Sequence, residues 1–209
     1  MFDITINRIF QFILLILLIL SALFSHGQGS EKSRSIRLEL GGGLGHYFNT
    51  FTNVLDEDVK NNRPSFCGKI LWQPEYRLSL GIESGYYFMY STTRIQTDIG
   101  AEKLTSRLKV VPLFLSLSMR VVNHLNINFG TGLADMIYTL NAAKTKSDKV
   151  VGTTYSMSNY TTGFTYSYQL GKKISLGAEF KYLYLRKTDD SHVSLLVNIS
   201  YNILKWRIK

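Results

Sequence analysis

Six charged residues sit where the surrounding sequence is small or apolar. Glu179 and Lys181 interrupt the run "KISLGAEFKYLYLRK" (173–187), and Arg37, Glu39, Lys69 and Glu83 interrupt three earlier runs in the same way. Three are cations and three are anions. Such a set can staple a polar interior, or it can carry a proton or ion. A buried charge is costly alone and tolerable when paired and hydrogen-bonded, so equal numbers of both signs favour the staple. A second constellation is "DDSHVS", in which His192 and Ser194 share one face of an extended segment after Asp189 and Asp190. A base beside a hydroxyl is the minimum for nucleophilic catalysis, but a His near a Ser in a connection is usually coincidence. "GGGLGHYF" lacks the Lys-Ser/Thr and helix that a phosphate loop requires. His46, His124 and His192 fall in separate connections and show no metal-ligand spacing. Cys67, the only cysteine, reads as a small filler and excludes an internal disulfide. No catalytic, cofactor-binding or metal-ligating residue is assigned.

The runs that carry the charges alternate with a period of two, the signature of strands whose side chains point to opposite faces in turn. Eight stretches do so: 35–46, 65–72, 76–90, 104–119, 125–138, 157–170, 174–187 and 193–204. In 76–90, Leu78, Leu80, Ile82, Tyr86, Phe88 and Tyr90 oppose Ser79, Gly81, Glu83 and Gly85. In 174–187, Ile174, Leu176, Ala178, Phe180, Tyr182 and Tyr184 oppose Ser175, Gly177, Glu179 and Lys181. Asp135 breaks the phase of 125–138, which predicts a bulge there. One face of each strand is therefore bulky and apolar, and the other is small, polar or charged.

Eight strands closed into a barrel leave an interior just wide enough for side chains. The small face fits inside, whereas the bulky face would overfill it. A soluble binder would need the opposite arrangement, with a water-exposed face rich in Lys and Glu, and the small polar set is mostly Gly, Ser, Thr and Asn. The expectation is an all-β, eight-stranded antiparallel up-and-down transmembrane barrel, closed because an open edge would leave amides unpaired in hydrocarbon.

The start and the connections are consistent with export. Arg8, the apolar run 9–24 and the small residues Ser25 and Gly27 read as a cleaved signal peptide spanning 1–27. Residues 28–209, about 180 residues, then suit one domain. The formal charge of +9 falls on this exported part, where lipid or an envelope polymer is a more natural partner than nucleic acid. Long connections (47–64, 139–156) alternate with short ones, "QPE" and "GKK" among them. That asymmetry marks short periplasmic turns and long extracellular loops. With an even strand number, both termini are expected in the periplasm. Arg107, Lys109 and Arg186 are then placed near the extracellular ends as candidate lipopolysaccharide contacts, because cations there can pair with phosphate.

The region after the signal resembles the bacterial outer-membrane protein β-barrel domain family, which includes PorT-like proteins. The stretch "LKVVPLFLSLSMR" is similar to that family's apolar-Pro-Leu strand, and "LNINFGTGLADMIY" to the Gly-rich strand after it. The resemblance implies an integral barrel in the cell outer membrane, with some members of the family serving protein secretion. The function expected here is non-enzymatic and without a cofactor: a structural, lipid-interacting or accessory interaction role, with PorT-like secretion or envelope assembly beside a periplasmic protein partner as the alternative. The chain departs from the usual aromatic end of such barrels: "KWRIK" follows Leu204, and Trp206 stands in for the terminal aromatic out of register. A minor alternative is a lipid A deacylase, which uses a His-x-Ser pair with a carboxylate. His192 and Ser194 match the pair, but the downstream carboxylate is missing and no Asn follows the Ser.

Overall fold

The computed structural model describes residues 33–48, 60–75, 77–96, 102–142 and 149–207. The signal-peptide reading for 1–27 lies outside them, as do residues 143–148 of the expected long connection 139–156. Eight strands follow in order: β1 (Ser33–Phe48), β2 (Asn62–Gln73), β3 (Leu78–Gln96), β4 (Glu102–Val122), β5 (Leu125–Ala142), β6 (Lys149–Gln169), β7 (Ile174–Leu185) and β8 (Asp190–Arg207). Each pairs antiparallel with its sequence neighbour, and β1 pairs with β8 to close the barrel.

Several strands run further than their apolar alternation. β5 and β6 continue through most of the expected connection 139–156, which leaves 143–148 between them. Backbone pairing persists there, with Thr139 paired to Val150 and Leu140 to Lys149. β7 ends at Leu185, so Arg186 lies in the turn 186–189 and not on a strand, whereas His192 lies on β8 and not in a loop. The short turns β2–β3, β4–β5 and β6–β7, together with the outer ends of β1 and β8, form one rim, called the turn end below. The other connections define the loop end.

The faces follow the alternation except at bulges. Leu44, Ile70, Ile82, Leu115, Phe164, Phe180 and Leu195 are exposed on the outside. Ser79, Glu83, Ser116, Asn128, Thr165, Glu179 and Asn198 are buried inside. In β3 the register against β4 steps from Phe88–Lys109 to Tyr90–Leu108, so Met89 is the extra residue. Tyr90 consequently turns inward, against the outward expectation, and its ring centroid lies 5.2 Å from that of Tyr47. The irregularity expected at Asp135 belongs instead to β6. Gly132 pairs with Asn159 but Ala134 with Ser156, and Ser158 takes a φ of 59°. Asp135 keeps the outward phase, between buried Ala134 and Met136. A third step, from Ile36–Leu204 to Arg37–Asn202, returns Trp206 to the outer face opposite Arg34.

The lumen is graded along its axis. Ser, Thr, Asn and the charges fill the part nearer the turn end. Met89, Leu108, Val110, Met136, Leu183 and Leu185 form an apolar cluster nearer the loop end. The inward glycines of β1 make room for this filling. A Cβ on Gly43 would collide with the backbone of Leu195 and Leu196, and one on Gly45 with the His192 ring. Gly152 faces open space. Gly43→Ala should therefore lower unfolding stability by about 1–3 kcal/mol, while Gly152→Ala should stay within about 0.5 kcal/mol. Urea titration of the refolded barrel checks the difference, and equal midpoints would contradict the packing described.

Candidate functional site

Strand register builds the centre of the lumen. Glu39 pairs across with Lys69, and Lys69 with Glu83, so one row on β1, β2 and β3 carries alternating signs. Glu179 and Lys181 stand on the inward face of β7, which lies four strands from β3 around the ring. Their side chains cross the lumen to meet the row. Lys69 Nζ donates to Glu179 Oε1 at 2.6 Å, and Lys181 Nζ to Glu83 Oε1 at 2.5 Å. Lys69 also lies 3.8 Å from Glu83 and 4.0 Å from Glu39, and Lys181 lies 3.4 Å from Glu179. Arg37 Nε is 2.8 Å from Glu39 Oε1. All six sequence-nominated charges thus lie in one connected group.

Glu179 is its hub. Beyond the two lysines it accepts from Asn198 Nδ2 at 2.7 Å and from Asn128 Nδ2 at 3.3 Å. Asn128 in turn donates to Thr165 Oγ1 at 2.6 Å, and Lys181 to the Tyr87 hydroxyl at 3.4 Å. The six formal charges cancel, and the amides supply donors to carboxylate lone pairs that the lysines leave open. Asn128, Asn198 and Tyr87 were not singled out from sequence. The only signal for the amides was their place in the inward phase, where Asn is one small polar residue among many.

The group can hold opposite walls of the barrel together, with its side chains buried at the centre of the lumen. Among the described residues no set of His, Cys, Asp and Glu has a metal-holding arrangement. His192 and Ser194 are not hydrogen-bonded to each other. His192 Nε2 lies 3.4 Å from Ser65 Oγ, and its ring packs edge-on against Tyr87 at 5.5 Å. Asp190 accepts from the Tyr47 hydroxyl at 2.6 Å. His192 and Ser194 are buried inside the wall, away from the outer surface where a lipid ester would lie. Cys67 is buried beside Gly41.

The nominated surface cations do not converge. Lys109 lies outside on β4, its Nζ 5.5 Å from the Phe88 ring centroid and 5.8 Å from that of Tyr86. Arg107 is two residues along the same strand. Arg186 is in the turn after β7, three strands away, where its backbone N–H donates to Asn159 Oδ1.

No protein-family model matches the chain, and no curated protein sequence matches it. Solved structures of similar architecture include Ail, the attachment invasion locus protein of Yersinia pestis, in complex with the heparin analogue sucrose octasulfate. It is 11% identical with a TM-score of 0.48, over 85% of this chain and 100% of that one. Neisserial surface protein A is 12% identical with a TM-score of 0.43, over 83% and 100%. The outer-membrane protease OmpT of Escherichia coli is 10% identical with a TM-score of 0.39, over 82% and 96%. These are likenesses of architecture at most, and they lend the PorT-like secretion reading no support.

Breaking the hub tests the staple. Glu179→Gln leaves Lys69 and Lys181 under-compensated and should destabilise the barrel by about 3–5 kcal/mol. Adding Lys69→Met should recover part of that loss. Urea unfolding of both refolded variants reads the result, and wild-type midpoints for both would mean that the charges do not act as a network.

Proposed function

We propose that this chain is an integral outer-membrane barrel with a structural, lipid-interacting or accessory interaction role, and that it neither catalyses nor conducts. The outer wall carries the reading. Its apolar side chains are exposed on all eight strands, with Leu44 at 69%, Leu115 at 70% and Leu195 at 64%. A monomer in water rarely exposes a contiguous apolar patch beyond a few hundred Å², whereas lipid requires such a wall. Aromatic residues gather towards both ends of the wall: Trp72, Tyr166, Tyr168, Tyr201 and Trp206 near the turn end, and Phe48, Tyr155, Tyr160 and Tyr182 nearer the loop end. Aromatic girdles at both interfaces accompany membrane barrels.

Support for a non-conducting lumen comes from the charge group at its centre and the apolar cluster beside it. Support for a non-catalytic role comes from the enclosure of His192 and Ser194. The turn end, with both ends of the barrel chain, is read as periplasmic. On this reading Arg107 and Lys109 on one side and Arg186 on another contact separate lipopolysaccharide phosphates.

The protein should fractionate with outer membranes and migrate faster on gels unless boiled. Recovery as a soluble periplasmic protein would overturn the reading. In planar bilayers it should give no ion-conducting steps, and regular channel openings would refute the closed lumen. Arg107→Gln with Lys109→Gln should reduce lipopolysaccharide co-purification, and Arg186→Gln should reduce it independently. Unchanged co-purification in a heat-modifiable triple variant would remove that contact.

A further inference from the structure

At the turn end, the outer wall brings together three residues that are far apart in sequence. Trp72 and Trp206 are the only tryptophans in the chain. They lie on β2 and β8, the two strands that flank β1. Arg34 on β1 pairs directly across with Trp206. Ile36, the next residue along that face of β1, pairs with Trp72, which makes Trp72 the diagonal neighbour of Arg34. Trp72 is 45% exposed, Trp206 39%, and Arg34 is exposed as well. The step in register near Ile203 makes this possible, because without it Trp206 would face the lumen.

The cluster offers donors only. A guanidinium carries N–H groups and no acceptor, and an indole contributes one N–H and no acceptor. Among the described residues the acid nearest in sequence to any of the three is Glu75, in the β2–β3 turn. The cluster is also continuous with the apolar wall, at the depth where indoles prefer to sit among lipid headgroups. An occupant must therefore be lipid-borne, lie at headgroup depth and carry net negative charge.

We propose that Arg34, Trp72 and Trp206 form a binding site for the phosphate of an anionic glycerophospholipid in the leaflet at the turn end. Arg34 binds the phosphate through charge-assisted hydrogen bonds, and the two indoles flank the glycerol region. The site selects net-anionic over zwitterionic headgroups, since its three side chains present no acceptor for an ammonium. The inference rests on the membrane reading above and can fail separately from it.

Both tryptophans belong to the site, so tryptophan fluorescence, excited at the red edge where the tyrosines do not absorb, reports on it alone. The barrel is refolded into phosphatidylcholine vesicles containing an equal small fraction of either brominated phosphatidylglycerol or brominated phosphatidylcholine. Bromine quenches tryptophan on contact. Phosphatidylglycerol should quench roughly twofold more strongly, as expected for a headgroup-level cation that favours anionic lipid. The excess should fall at high salt and vanish in Arg34→Gln. Failure of the wild-type barrel to insert would overturn the membrane reading and this site together. Insertion with equal quenching by the two lipids, or an excess indifferent to salt, would overturn the site alone. That outcome would also be expected if a soluble anionic polymer were the partner of these cations. Persistence of the excess in inserted, heat-modifiable Arg34→Gln would equally overturn it.

Discussion

Closing eight antiparallel strands into a ring satisfies every ladder amide within the wall and fixes how wide the lumen can be. That width constrains everything inside. A side chain on the inner face has no solvent to turn to and meets the opposite wall. Glu179 is the clearest consequence. Its carboxylate is fully buried, yet it is surrounded by two ammonium groups and two amides drawn from β2, β5, β7 and β8. A slightly wider barrel would leave these groups to water, and a narrower one would exclude the lysine stems. The ion pairs are thus a product of the closure geometry as much as a support for it.

The same confinement explains the grading of the lumen. Near the turn end the inner face is built of Ser, Thr, Asn and charged residues, which fill space only by bonding to one another. Nearer the loop end Leu, Met and Val pack together beside buried Ser156, Asn159, Asp190 and His192. Between them the inward glycines of β1 let β8 approach closely enough for His192, Leu196 and Asn198 to occupy the space that side chains on β1 would have taken.

The wall was legible in the sequence because lipid and a narrow lumen impose opposite demands on alternate residues. Leu115 outside and Ser116 inside could be assigned from type alone. The six charges were legible for the same reason, since no lipid-facing position would hold them. Tyr90 was misplaced because a bulge at Met89 shifts the phase without altering the kinds of residue used, and tyrosine suits either an interface or an interior. The apolar lumen layer was hidden in stretches such as "YLYL" (182–185) and "FMY" (88–90), where both faces are apolar and period-two reasoning has no contrast to read. The amides bonded to Glu179 were visible only as members of the inward set, because an Asn that serves a carboxylate and one that fills space look alike in sequence.

Alternation alone leaves one ambiguity that the charges resolve. A slip of one residue between strands would turn every apolar side chain inward and is strongly disfavoured. A slip of two preserves both faces, and the hydrophobic pattern cannot distinguish it from the native register. The charged row can. Moving β1 by two against β2 would set Glu39 opposite Cys67 or Leu71, and moving β3 by two would set Lys69 opposite Gly81 or Gly85. Either slip separates a lysine and a glutamate that stand opposite each other in the native row, while Glu39 keeps Arg37 and Lys69 keeps Glu179. Because the register summed around the ring sets strand tilt and lumen width together, the alternating Glu39–Lys69–Glu83 row favours the observed register over its two-residue neighbours, and in that register Glu179 and Lys181 of β7 meet the row across the lumen.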